Sequence, residues 1–165
     1  MKKFELTSET KINIFGKKLF RIKALISFGN VEAGETGGWV EKEENVNQSG
    51  DAWVSGNAWV SGNAMVSGNA RVSGNAWVSG DARVSGNAEV SGNADYTTIR
   101  GFGTQFRTTT FFRCKDKQVK VSCGCFYGTI PEFREQVKNT RKGKIAEEYL
   151  MIADLMEKHF AEEAK

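Results

Sequence analysis

At 165 residues with 39% hydrophobic content, the chain suits one globular domain or a repeat core with appended pieces, and is too short for several large domains. Its 23 basic and 20 acidic residues are interspersed and leave a net charge of +3, so no basic block supplies the electrostatic footprint of a nucleic-acid binder. No run approaches the roughly 20 apolar residues of a membrane helix, and "MKKFELTSETKIN" has no secretory leader, so the three cysteines are expected as reduced thiols in a soluble protein of the cytoplasm.

The first segment, "KINIFGKKLFRIKALISFG", alternates apolar residues around Gly16-Lys17 and reads as a β-hairpin. It defines an N-terminal hairpin cap over residues 1–37. "GGWVEKEENVNQS" follows and keeps a six-residue rhythm, with Val40 and Val46 in the phase that alanine occupies further on and with Lys42 and Gln48 where valine would stand. It is expected to be an imperfect first coil or cap, which a solenoid needs because its end exposes unpaired backbone.

From Gly50 to Thr97 the chain runs through eight hexads of the kind Val-Ser-Gly-Asn-Ala-X. A period of six is too short for helical solenoids and wrong for heptads, but fits a parallel β-helix. Strand residues alternate faces, so Val54 to Val90 and Ala52 to Ala94, each at six-residue steps, should point inward. Gly and Asn or Asp then fall at corners, where a positive φ is tolerated. Three hexads make an 18-residue coil, and the repeat region covers residues 38–97.

The slot before each valine reads Trp, Trp, Met, Arg, Trp, Arg, Glu and faces outward. Residues 18 apart should stack into three columns: Trp53, Arg71 and Glu89; Trp59, Trp77 and Asp95; Met65 and Arg83. The first column could hold a cation–π contact and a salt bridge, the second an aromatic stack. Three outward tryptophans are more apolar surface than a small monomer leaves bare, so they should be covered by a sister subunit, by the C-terminal helix, or by a ligand or foreign protein.

After Ala94 the rhythm fails. Two strand-like runs flank "KDKQ", and pairing Cys114 with Val119 would put Phe112, Cys114, Val119, Val121, Cys123 and Cys125 on one apolar face. Thr129-Ile130-Pro131-Glu132 has the form of a capping box. A first helix would pack Phe133 and Val137 on the hairpin, Gly143 would break it, and a second would carry Ile145, Tyr149, Ile152, Met156 and Phe160 on one side. Residues 98–165 thus read as a ββαα module. Cys114, Cys123, Cys125 and His159 include metal-ligating types, but Cys-x-Cys lacks the spacing of a structural zinc site, so neither metal nor cofactor is expected.

The hexads resemble the left-handed β-helix of the hexapeptide-repeat family. The resemblance implies a mainly β fold, a short left-handed parallel β-helix forming a triangular prism, and a trimer as the favoured homo-oligomer. Family members include acyltransferases that use a histidine base between neighbouring prisms. Here the one histidine, His159, stands outside the repeat, so no catalytic residue is assigned and the chain is not expected to be an enzyme.

"LFRIKALISFGNVEAGETGGWVEKEENVNQSGDAWVSGNA" together with "TTTFFRCKDKQVKVSCGCFYGTIPEFREQVKNT" also resembles a family of small bacteriophage and prophage proteins. That family usually carries Thr-His-Gly after the first C-terminal helix, where this chain has Thr140-Arg141-Lys142-Gly143. The resemblance implies a phage accessory setting, in host cytoplasm: a counter-defence factor that sequesters an immune nucleotide or occludes a defence protein, or else a virion component. Trp53, Trp59 and Trp77 would then stack on a base or partner surface, and Arg71, Arg83, Arg107 and Arg113 would meet negative charge.

Overall fold

The hexad has a direct structural translation in the computed structural model, which describes residues 2–161. The valines from Val54 to Val90 and the alanines from Ala52 to Ala88 are at most 1% exposed and line one continuous core. Each hexad contributes a two-residue strand: β4 (Trp53–Val54), β5 (Trp59–Val60), β6 (Met65–Val66), β7 (Arg71–Val72), β8 (Trp77–Val78), β9 (Arg83–Val84) and β10 (Glu89–Val90). Every third strand pairs in parallel, giving the ladders β4-β7-β10, β5-β8 and β6-β9 with a register of 18 residues. The repeat is therefore a β-solenoid, whose ladders remain separate sheets that do not close on themselves.

Corner glycine is required by the stacking. Gly50 has φ +72°, and a Cβ there would lie 2.6 Å from the Gly68 carbonyl one coil below. That combination excludes L side chains on both conformational and steric grounds.

The structure corrects the register of the first coil. β3 (Thr36–Val40) pairs Val40 with Val60, and a bridge pairs Val46 with Val66, so both stand in the valine phase and not the alanine phase. The offset is 20 residues there because the corner between Val46 and Val54 is two residues longer than its counterparts. Those extra residues carry Gln48 to the N-terminal strand, where its Oε1 accepts from the Lys3 and Phe4 amides at 2.7 and 3.2 Å. The repeat also ends earlier than its spelling: Ala94 is exposed, and Asn93–Asp95 form a 3₁₀ turn.

The N-terminal hairpin, β1 (Phe4–Ile12) and β2 (Lys18–Ala24), turns at Asn13–Lys17 as the sequence indicates. It is more than an end cap, because β2 pairs with β3 and places the hairpin in one sheet of order β1-β2-β3-β5-β8. Gly37 permits this approach, since a Cβ there would sit 2.6 Å from the Trp53 ring.

Side chains finish the end coils, whose backbone groups face no further coil. Lys3 is buried, and its Nζ donates to the carbonyls of Gly50 and Ala52 at 3.2 and 2.8 Å. Two hexads later, Asn45 Nδ2 does the same for Gly62 and Ala64, at 3.2 and 2.8 Å. At the far end the amides of Trp77, Arg83 and Ser91 donate to Asn93 Oδ1, Thr110 Oγ1 and Asp95 Oδ2 at 2.7, 3.0 and 2.9 Å, and the Tyr96 hydroxyl donates to the Trp77 carbonyl. Each contact gives an end-coil backbone group the partner that a further coil would otherwise supply.

The C-terminal module has four antiparallel strands where the sequence suggested two: β11 (Tyr96–Phe102), β12 (Arg107–Arg113), β13 (Val119–Cys123) and β14 (Phe126–Thr129). β11 begins inside the last hexad and β14 follows a two-residue turn, so neither is set apart by a break in composition. The register also differs by one residue, with Arg113 opposite Val119. Faces therefore divide: Phe112 and Cys114 pack on the solenoid core, while Phe111, Val121 and Cys123 face the helices.

Two helices, α1 (Ile130–Thr140) and α2 (Gly143–Phe160), complete the module. The capping box forms between Thr129 and Glu132, and these bonds, given to the ionised carboxylate, hold Glu132 below the usual carboxylate range. Phe133, Val137, Tyr149, Ile152, Met156 and Phe160 make the second core. No described helix is long and apolar enough to cross a membrane.

Candidate functional site

The outward slot sorts its residues by what lies over them. Trp53 is 3% exposed, with Phe28 and Phe4 edge-on at 5.3 and 6.1 Å. Trp59 is 4% exposed, packed with Leu19 and Trp39 and stacked on Trp77 at 5.1 Å. Their cover is the chain's own N-terminal hairpin, not the C-terminal helix, so the columns do not call for a sister subunit or a ligand there. Trp53 and Trp59 thus leave the binding set. Trp77 stays half-buried, with the Phe15 ring edge-on at 6.3 Å.

The remaining predicted residues separate as well. The second column holds Trp39, Trp59 and Trp77, because β3 supplies a rung, whereas Asp95 lies off the ladder. Arg71 is in register with Trp53 and Glu89, but its guanidinium lies against Gly29 beside Asp51. Arg113 is fixed in place: it pairs with Asp95 at 3.3 Å, donates to the Phe160 carbonyl at 3.0 Å, and lies over the Phe160 ring.

Arg83 and Arg107 do come together. β12 runs beside the β6-β9 ladder, and between them opens a cleft of about 470 Å³. Its walls carry Arg83, Arg100 and Arg107, with Phe106 beside them and Asn63, Thr108 and Ser122 supplying polar groups. The volume is that of a small-molecule site. Arg100 is paired with Asp81 at 3.4 Å. Among the described residues, Arg83 and Arg107 appear in no ion pair within 4.0 Å.

Local structure positions these groups. Arg83 occupies the outward slot of β9, and Thr110 on β12 binds its amide, fixing the cleft's width. Phe106 has φ +53° in the β11–β12 turn and is 65% exposed. Gly124, at φ +58°, leaves room for the Arg107 guanidinium, which a Cβ there would strike. The Cys-Gly-Cys step therefore serves a turn that seats an arginine.

Sequence reasoning missed Arg100 and Phe106. One signal was available: the corner slot that reads Asn in most hexads reads Asp at Asp51 and Asp81. Each aspartate faces cations brought by another segment: Arg100 at Asp81, Lys3 with Arg71 at Asp51.

The cysteines take no part in a metal cluster among the described residues. Cys114 is buried and its thiol is pushed up to about 11, chiefly by desolvation, which makes it an inert packing residue. His159 stands at the end of α2 against the Phe160 ring.

Residues 58–74 and 64–80 match the YdcK β-solenoid repeat. This agrees with the ladder geometry and identifies a β-solenoid repeat protein. No curated protein matches the chain.

Proposed function

We propose that the chain is a non-enzymatic binding protein that captures a phosphorylated, planar small molecule of the nucleotide class in the cleft between the solenoid and the C-terminal sheet. The observation that carries this reading is the convergence of Arg83, Arg100 and Arg107 around an exposed Phe106. Guanidinium groups donate paired N–H bonds to phosphate oxygens, and an aromatic ring offers a stacking face to a base. The one carboxylate on the cleft wall, Asp81, is engaged by Arg100, so the walls favour holding an anion over transferring a proton.

In this reading the solenoid is a left-handed, three-sided β-helix of the hexapeptide-repeat kind, and the protein is a phage-type counter-defence factor that sequesters a host immune nucleotide in the cytoplasm. The repeat match and the 18-residue coil support the solenoid, and the basic cleft supports the capture of an anion.

The test is calorimetric titration with mononucleotides and cyclic oligonucleotides, followed by heat release and mass analysis of the ligand. A one-to-one complex releasing an unchanged compound is expected, and Arg83→Glu with Arg107→Glu should abolish it. Binding of none of these compounds, or release of a chemically altered one, would overturn the reading.

A further inference from the structure

The three cysteines differ in what can reach them. Cys114 is buried, and Cys123 is half-buried with its sulfur accepting from the Thr109 hydroxyl at 3.1 Å. Cys125 stands exposed in the turn between β13 and β14, and it borders a pocket of about 190 Å³ between that turn and the two helices. Arg107 and Arg141 line the same pocket, Phe126, Phe133 and Tyr149 form its apolar side, and no carboxylate is among its lining residues.

The fold holds both cations there. The Arg107 guanidinium lies against Gly124, in space that any Cβ would fill, and so sits between the two flanking cysteines. Arg141 closes α1, its amide donating to the Val137 carbonyl at 2.8 Å. Among the described residues neither arginine appears in an ion pair within 4.0 Å, so the positive charge faces whatever enters.

We propose that Cys125 is a covalent modification site selective for small disulfides that bear carboxylates, the class of oxidised glutathione. The Cys125 thiolate, its proton given to solvent, attacks one sulfur of the disulfide. A bond from Sγ to that sulfur forms as the S–S bond breaks, and the other half leaves as a thiolate that takes a proton from water. The protein thiol is oxidised and the departing half is reduced, so no further oxidant enters. Arg107 and Arg141 hold the carboxylates of the half that stays, through charge-assisted N–H bonds. The pocket shares only Arg107 with the arginine cleft, so this site stands whatever the cleft binds.

The test compares oxidised glutathione, which is anionic, with bis(hydroxyethyl) disulfide, which is neutral, on the full chain. Adducts are located by peptide mass mapping, and rates are set against those of N-acetylcysteine amide as a free thiol. A single glutathione adduct on Cys125 is expected, and none in Cys125→Ser. The preference for the anionic reagent should exceed that of the free thiol by about tenfold, fall about threefold in Arg141→Gln, and shrink as salt is raised. Arg141 is exposed, and an unchanged circular dichroism spectrum checks that its variant is folded. No adduct, an adduct on Cys114 or Cys123 in place of Cys125, a preference equal to that of the free thiol, or one unmoved by Arg141→Gln would each overturn the proposal.

Discussion

Two pieces of chain lie against the solenoid, and they meet it in opposite ways. The N-terminal hairpin closes over Trp53 and Trp59 and leaves each of them under 5% exposed. β12 meets the ladder of Met65 and Arg83 at Thr110, which accepts from the Arg83 amide, and beside that contact a cleft lined by arginine stays open. At these rungs the slot follows the difference: Trp53 and Trp59 stand where a neighbouring segment seals the surface, and Arg83 where water remains. An indole gains by desolvation, whereas a guanidinium keeps most of its hydration free energy only if it stays wet. At these rungs the variable position of the repeat therefore records what lies next to it.

The largest effect that should separate the two regions is on stability. Trp59→Ala removes a buried ring from the hairpin interface and should cost about 3–5 kcal/mol in urea unfolding. Arg83→Ala, in the equivalent slot four hexads later, should change stability by no more than about 0.5 kcal/mol. Equal losses at the two sites would break the contrast.

Next in size is the end-coil device. Asn45→Ala leaves the Gly62 and Ala64 carbonyls without the donor that now satisfies them, and should cost about 2 kcal/mol in the same assay. A neutral result would mean that water reaches those carbonyls.

Lys3 gives a third effect, readable through pH. Burial lowers its pKa from 10.5 to about 8, so the folded state favours the neutral amine more than the unfolded state does. Below about pH 8 both states carry the charge and the folded one bears the desolvation cost; as pH rises toward 10.5 that cost is relieved. Stability should therefore rise, by about 2 kcal/mol between pH 7 and 9.5. Lys3→Met should flatten this slope, and a falling slope in the parent protein would contradict the assignment.

The solenoid was legible because one period fixes every inward residue, and the columns Trp59-Trp77 and Met65-Arg83 follow from an 18-residue coil by counting. What covered the tryptophans was not, because the hairpin is laid over them by the pairing of β2 with β3, a non-local contact with no sequence period. The phase of Val40 and Val46 was misread for a related reason: two added residues in one corner shift every position before them, and nothing in "VNQSGDA" marks an insertion until Gln48 is seen binding the first strand. In the C-terminal module, adjacent Phe111 and Phe112 belong to opposite cores, so apolar pattern alone could not set the register. The cleft was half legible. Arg83 and Arg107 stood in the expected binding set beside Arg71 and Arg113, which the fold places elsewhere, whereas Arg100 joins the cleft only through the fold.

The smallest expected effect bears most directly on what the cleft does. Asp81→Asn restores the residue found at this corner in most hexads and removes the carboxylate that holds Arg100. Both partners of that pair are exposed, so stability should fall by less than about 0.5 kcal/mol. The electrostatic consequence is larger, because the cleft loses its one negative charge and Arg100 is released toward the gap it shares with Arg83 and Arg107. An anion entering it should then bind several-fold more tightly, and the gain should shrink as salt is raised. If affinity fell instead, Asp81 would be orienting Arg100 for the ligand, and the aspartate in the corner slot would be part of the site and not merely its neutraliser.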